Sequence, residues 1–383
     1  MFSDLPNRLA PFIVRFAALA IGFVVTFSLF INLSDQRQMD FIAFWAAGKL
    51  VLAGDVLSAY DVEAHKQVQL TIRNFKGLMP FAYPPPFLFV VTPFGLLPYA
   101  TSALVWVALG YLIYLLTAQR LGPGAAWTAA AFPPALIDGI IGQNGMLTGS
   151  IFILGTSLLK RHPLWAGLVL GCLVIKPHLA VLLPLALAAG GYWRAFAGAA
   201  ISSSGLALLA LLVFGADAYV AFLEQMPLFS SIVAKGLVGW HKMASVFAAL
   251  RLAGIPAMFA WSAHIVIALA AAAVVGLVWR SDADIDAKAA MLGAASVLIS
   301  PYLYQHDTML LIVPFVWLAR HGEDQRVLAM LWCIALVFAL QNWGFNEVFN
   351  PAPLLPLAMI ALIWRRLRKD RWGIAPAAPL LAS

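Results

Sequence analysis

An all-α polytopic membrane protein is the fold class that this sequence predicts, and three observations carry the prediction. Of the 383 residues, 63% are hydrophobic and only 11% are charged, against ~45–50% and ~25% in soluble domains. Mean hydropathy is +0.89. The apolar runs are continuous rather than alternating, which is the pattern of spanning helices and not of membrane strands. A water-soluble globule of this composition would display large apolar patches, and a disordered chain needs low hydrophobicity with high net charge. The net charge of +7 is dispersed over the loops, so no nucleic-acid partner is expected. Cys172 and Cys333 each lie inside an apolar run, and neither a disulfide framework nor a metal site follows from them.

In chain order, apolar runs mark spans at 11–33, 100–118, 124–141, 145–159, 163–175, 177–192, 194–214, 256–279, 287–300, 308–319, 327–341 and 352–364. The reading is a bundle of about 10–12 transmembrane helices in one integral membrane domain, 1–383. Arg8 and Arg15 precede the first run and no small-residue cleavage site follows it, so it reads as a retained span. With a cytoplasmic N-terminus, fifteen of the 24 basic residues fall inside and nine outside. Every short Arg-bearing turn is then cytoplasmic, as the positive-inside rule expects. The run RRLRKDR opens a cytoplasmic tail, 365–383, which places both termini inside a bacterial-type plasma membrane.

Two long segments, 34–99 and 215–255, fall outside and are not simply hydrophilic. In the first, FIAFWAAGKLVLAG sets Phe41, Phe44, Trp45, Gly48 and Leu52 on one helix face, the pattern of an interfacial helix. YPPPFLFVVTPFGLLPYA is too interrupted by proline to span as an ordinary helix, and it reads as a stretch lying along or dipping into the outer leaflet. The polar residues that look out of place gather on this same outer side. They are Asp40, Asp138, Gln143, Asn144, Lys176, His178, His241, Lys242, the stretch SPYLYQHD at 300–307, Gln341, Asn342, Asn346 and Glu347. Ionisable groups at membrane depth cost ~2.5–3.5 kcal/mol each on insertion scales, and they persist where they pair or work. The cytoplasmic turns carry only solvated charges such as Asp282, Asp284 and Asp286.

Cations and imidazoles beside an apolar groove suit a substrate with an anionic head and a lipid tail. Lys176, His178, His241, Lys242 and His306 can neutralise a phosphate, and a desolvated Asp can act as general base toward a sugar hydroxyl. No P-loop, dinucleotide fingerprint or HExxH is present. A soluble nucleotide donor is therefore not supported, and no cofactor or metal is expected.

The ordered set MDFIAFWAAGKLVLAGDVLSAYD, YPPPFLFVVTPFGLLPY, GQNGMLTGSIFILG, IKPHLAVLLPLAL and SPYLYQHDTMLLIVP, over roughly 35–320, resembles glycosyltransferase family 87. Those are polytopic transferases related to the polyprenyl-phosphate-mannose-dependent mannosyltransferases of actinobacteria. The resemblance implies a GT-C fold and inverting transfer from a polyprenyl-phosphate sugar donor to a lipid or glycan acceptor. It also implies a catalytic acid in the first extracytoplasmic loop, by position Asp40, and points to His306 and the Lys176–Pro177 pair. Lys176, His306 and His178 are then the expected donor-phosphate residues, and Gln143, Asn144, His241 and Lys242 the weaker substrate-binding candidates.

Each residue also has a plainer role. Asp40 precedes a helix, where Asp is a favoured N-cap, although a cap leaves one oxygen free for catalysis. Asp55 and Asp61 read as turn residues, and Asp307 as a first-turn charge on a helix dipole. Lys176 can snorkel at a broken helix, GQNG can be simple turn chemistry, and Trp240–Lys242 an interfacial aromatic beside a charge. A transporter or flippase of a lipid-linked saccharide would use the same groove without making a bond, and it would tend to show paired halves. No duplication is evident here.

Overall fold

The computed structural model describes residues 5–34, 39–72, 79–344 and 348–371. Asn346, Glu347 and the Pro/Ala-rich end of the tail lie outside the described residues. Among those described, the regular structure is helical, apart from one isolated bridge between Met243 and Tyr304. Three helices are long and apolar enough to cross a membrane, Tyr99–Leu121, Trp193–Phe214 and Ala257–Arg280. Their outer faces expose leucine, valine and phenylalanine, such as Leu112, Leu212, Phe259 and Leu269. Such residues can stay exposed only where lipid replaces water.

The remaining apolar runs are shorter and more broken than the sequence suggests, and proline is the reason. The expected span 124–141 divides into Ala125–Ala130 and Pro133–Ile141, because Pro133 and Pro134 can start a helix but not continue one. The run 163–175 is a helix only over Pro163–Gly171 and tightens into a 3-10 turn at Cys172–Ile175. Pro177 denies helical geometry to the residue before it, and Lys176 sits at φ −146, ψ 70. The run 177–192 is regular only over Pro177–Leu179 and Leu183–Ala189. Pro301 ends Ile285–Ile299, and the chain re-enters helix through a 3-10 segment, Gln305–Leu311, before Ile312–Arg320. At the C-terminus the helix Leu354–Arg371 continues through the basic run. Arg365 there meets Glu323 at 2.8 Å.

The centre of the molecule is Ile285–Ile299, buried at every position from Ala287 to Leu298. Its alanines, Gly293 and Ser296 let neighbours approach closely, the membrane habit of small residues at helix contacts. The same device joins Pro163–Gly171 to Trp193–Phe214. A Cβ on Gly167 would strike the Ala195 carbonyl, and one on Gly171 the Ser202 hydroxyl. A nine-residue helix such as Pro163–Gly171 is too short to cross a bilayer by itself, so such a helix would end at membrane depth. Non-helical backbone is tolerated at that depth only where protein surrounds it or it lines a cavity.

The segment 34–99 does not carry a one-faced interfacial helix. Phe41–Leu52 is buried at nine of its twelve positions, Ile42, Ala43, Ala46 and Ala47 included. The Gly48 side is closed by the backbone of Val91 and Gly95 from the Pro-rich stretch, and the side expected to face lipid or water is covered in part by the next helix. Buried His65 fastens the next helix, Val62–Leu70, to this one through the Ala43 carbonyl at 3.0 Å. The segment 215–255 is also mostly helical: Ala216–Glu224, Met226–Lys235 and Val246–Leu252, with a turn at Trp240–Lys242. It is pinned to the 300–307 stretch by the Met243–Tyr304 bridge and by Ala244 N–H donating to Leu303 O at 2.7 Å. Buried Asn350 clamps the same turn, donating to the carbonyls of Trp240 and Met243.

Candidate active site

Three helix interruptions, at 142–145, 176–179 and 300–307, bring the polar residues together. At the first, Gly142 takes the left-handed conformation at φ +69, and the chain turns through Gln143 and Asn144 into Gly145–Leu158. Asp138 is buried beneath this turn and accepts the Gly145 and Met146 N–H groups, both at 2.8 Å. Both carboxylate oxygens are thereby used on the orphan donors of a helix N-terminus, a structural role that satisfies and neutralises them. Gly145 must be glycine, since a Cβ there would meet the His306 carbonyl and lie 2.8 Å from Asp138 Oδ1.

At the second interruption Lys176, 3% exposed, reaches Asp307 Oδ1 at 2.5 Å and donates to Asn144 Oδ1 at 2.8 Å. Asp307 is not merely a dipole charge. Its Oδ2 accepts the Tyr304 N–H at 3.1 Å, and both His178 and His306 place Nε2 3.8 Å from the carboxylate. His306 stacks on Tyr304 with ring centroids 6.0 Å apart, while His178 keeps about a third of its side chain accessible. The expected Lys176, His178 and His306 therefore do converge, around an acid that sequence reasoning had given a lesser part. An ammonium has three donors, so Lys176 retains one beyond Asp307 and Asn144.

Asp40 stands at the N-cap position of Phe41–Leu52, but its backbone is already helical and its side chain makes no capping bond. The N-cap reading thus fails. The carboxylate turns instead toward the 142–145 turn, where Gln143 Nε2 donates to Oδ2 at 3.1 Å. Burial raises the Asp40 pKa above the ordinary carboxylate value, while the Gln143 hydrogen bond and the charges of Lys242 and Lys176 pull it back down. Among the described residues Oδ1 makes no hydrogen bond, and part of the side chain remains accessible. Lys242 is half-buried on the pinned turn, and its charge is among the influences that lower the Asp40 pKa. His241 lies half-buried beside it. Gln341 instead donates to the Phe349 carbonyl.

Next to Gln143 opens an apolar cavity of about 100 Å³ between Tyr99–Ala118 and Gly145–Leu158. Phe94, Trp106, Leu109, Gly110, Ile113 and Met146 form its wall, and Asp138 and Gln143 its polar end. Leu109 is 43% exposed on the outer surface, so the crevice opens sideways where lipid would lie. Tyr83 was not singled out from the sequence, yet it occupies the middle of the site. Its hydroxyl donates to Gln143 Oε1 at 3.0 Å, and the Lys176 ammonium stands 5.6 Å from its ring centroid. The only sign in the sequence was its place before three prolines, which says that the position is rigid but not where it points.

No curated protein and no solved structure gave a match to the chain. The family model of glycosyltransferase family 87 matches residues 81–301, more than half of the chain. The matched stretch includes Tyr83, Gln143, Asn144, Lys176, His178 and Lys242, whereas Asp40 and His306 lie outside it. With this match and a helical membrane fold, the chain belongs to glycosyltransferase family 87 and is a membrane glycosyltransferase.

Proposed function

We propose that this glycosyltransferase moves a hexose, mannose being the first candidate, from a polyprenyl-phosphate donor to a hydroxyl of a lipid or glycan acceptor on the extracytoplasmic face. The observation that carries the reading is Asp40, a desolvated carboxylate without a capping duty, which does not itself line the crevice but is hydrogen-bonded to Gln143, the residue at its polar end. The donor's tail enters through the crevice, with most of its length left in the bilayer. Its phosphate meets Lys242, His178, His306 and the remaining donor of Lys176. Because Asp307 already balances Lys176, the uncompensated positive charge comes mainly from Lys242.

Asp40 takes the proton of the acceptor hydroxyl as the oxygen attacks the anomeric carbon. The bond to phosphate oxygen breaks on the opposite face, and polyprenyl phosphate leaves with the electron pair. One displacement inverts the centre. General-base assistance of this kind is worth about 10²–10⁴-fold, and fixed cations at the leaving phosphate add pre-organised stabilisation. Incubating the purified protein with a panel of polyprenyl-phosphate hexoses and an envelope lipid extract, with mass spectrometry of the products, tests the reading. A hexose added to an acceptor together with released polyprenyl phosphate supports it. A saccharide that changes leaflet without a new bond supports the carrier instead.

A further inference from the structure

We propose that Tyr83 and Gln143 are positioning residues for the reaction, a two-step hydrogen-bond relay that turns one oxygen of the Asp40 carboxylate to the protein and leaves the other for the acceptor hydroxyl. The inference rests on Asp40 acting as base, and it adds what makes that base competent. A glutamine side chain presents an oxygen at one end and an amino group at the other, and either end can face a neighbour. Facing Asp40 with the oxygen would set two acceptors against each other in a desolvated site, where unpaired polar groups are costly. Tyr83 fits that choice. Its hydroxyl, which can donate, matches the orientation that the acceptor-only Asp40 carboxylate imposes: the amino group donates to Asp40 Oδ2 at 3.1 Å and the Tyr83 hydroxyl donates to Gln143 Oε1 at 3.0 Å.

Both members of the relay are held from elsewhere. Tyr83 precedes Pro84, Pro85 and Pro86, and its carbonyl accepts the Tyr60 hydroxyl at 3.2 Å. Its ring is wedged against Phe87 and Phe44, with centroids 4.6 Å and 5.2 Å away. Trp106 fixes the other end by donating from Nε1 to the Gln143 carbonyl at 3.1 Å, and its ring packs 5.6 Å from that of Phe41, the residue after Asp40. Asp40 and Gln143 are thus referenced to one tryptophan. Lys176 stands over the Tyr83 ring while the Tyr83 hydroxyl reaches toward Asp40 through Gln143, so the aromatic lies between that one leaving-group cation and the base. An inverting displacement needs that division, because attack and departure occur on opposite faces of the sugar.

Tyr83→Phe keeps the ring and removes only the hydroxyl, and Gln143→Met keeps the length and removes both amide ends. Each should lower kcat about tenfold, the rate equivalent of one ordinary hydrogen bond, with donor KM within about twofold. Each should also move the acid limb of the kcat–pH profile upward, because the Gln143 hydrogen bond is one of the influences that lower the Asp40 pKa. The double variant should be no slower than Gln143→Met alone, since Tyr83 acts only through the amide. An unchanged kcat and acid limb in Tyr83→Phe would overturn the relay, and so would a double variant whose defect is the product of the two single ones. Thermal unfolding of each variant in detergent identifies any that fails to fold. Asp40→Asn, assayed in parallel, separates the two proposals: if it stays active the base reading fails, and if it is dead while Tyr83→Phe is normal only the relay fails.

Discussion

Removing the charge of Asp307 isolates what the buried cation cluster contributes to the fold. In Asp307→Asn the Lys176 ammonium stays where it is, 3% exposed, with the Asn144 oxygen at 2.8 Å and the Tyr83 ring as its remaining company. Breaking a buried pair by deleting one partner typically costs ~3–5 kcal/mol, because the other charge is left uncompensated. Against a total stability of ~5–15 kcal/mol, that is a large fraction. Lys176→Met should cost a similar amount, reduced by the two histidines and the Tyr304 N–H that also face Asp307. The double variant Lys176→Met/Asp307→Asn has no stranded charge and should lie within about 2 kcal/mol of the parent. Denaturant titration in mixed micelles measures all four proteins, and the coupling between the two sites should be at least ~2 kcal/mol. Single variants that each cost under about 1 kcal/mol, or costs that simply add, would refute the idea that this pair braces the site. The double variant also isolates the role of Lys176 toward the donor: with the fold repaired, a donor KM still raised severalfold assigns the remaining ammonium donor to the phosphate.

Transfer should fall as the pH is lowered, with a midpoint above the ordinary carboxylate value of ~3.9, because burial raises the Asp40 pKa and only the ionised form accepts a proton; a kcat–pH profile checks this, and a rate flat through that range contradicts it. The sign for stability is the reverse. A group whose folded pKa is raised makes the fold gain stability as pH falls through that pKa, so Asp40→Asn should unfold at the same or a higher temperature at pH 7. Gly110→Leu fills the crevice opposite Met146, whose nearest side-chain atoms lie 3.7 Å from a Cβ built at Gly110. Leucine is the better helix former by roughly 1 kcal/mol, so folding should hold, while KM for a long-chain polyprenyl-phosphate donor rises more than for a short-chain one. Equal effects on the two donors would remove the crevice from the donor path.

The membrane class and the presence of polar residues where apolar runs break are legible in the sequence because both depend on composition and on order along the chain. The count and length of the spans are not. Hydropathy registers that 163–175 and 308–319 are apolar but not that the 3-10 segments Cys172–Ile175 and Gln305–Leu311 interrupt them, and a short helix is as apolar as one that crosses. The helix Phe41–Leu52 is misread as one-faced because its second face is covered by a following helix, with His65 on the Ala43 carbonyl, a contact between residues distant in sequence. Asp40, Lys176, His178 and His306 stand out because an ionisable group in apolar surroundings is conspicuous by type. The pairing of Lys176 with Asp307, the use of Asp138 as a helix anchor and the contact from Tyr83 to Gln143 are facts of geometry. No local pattern announces them.

The most direct measurement is single-turnover transfer by Asp40→Asn beside the parent enzyme, with saturating polyprenyl-phosphate mannose and acceptor, both proteins being matched in thermal unfolding. The account predicts a rate lower by about 10²–10⁴-fold with donor affinity retained. Asparagine keeps an oxygen for the Gln143 amide but cannot take the proton. A variant within a few-fold of the parent rate would contradict it.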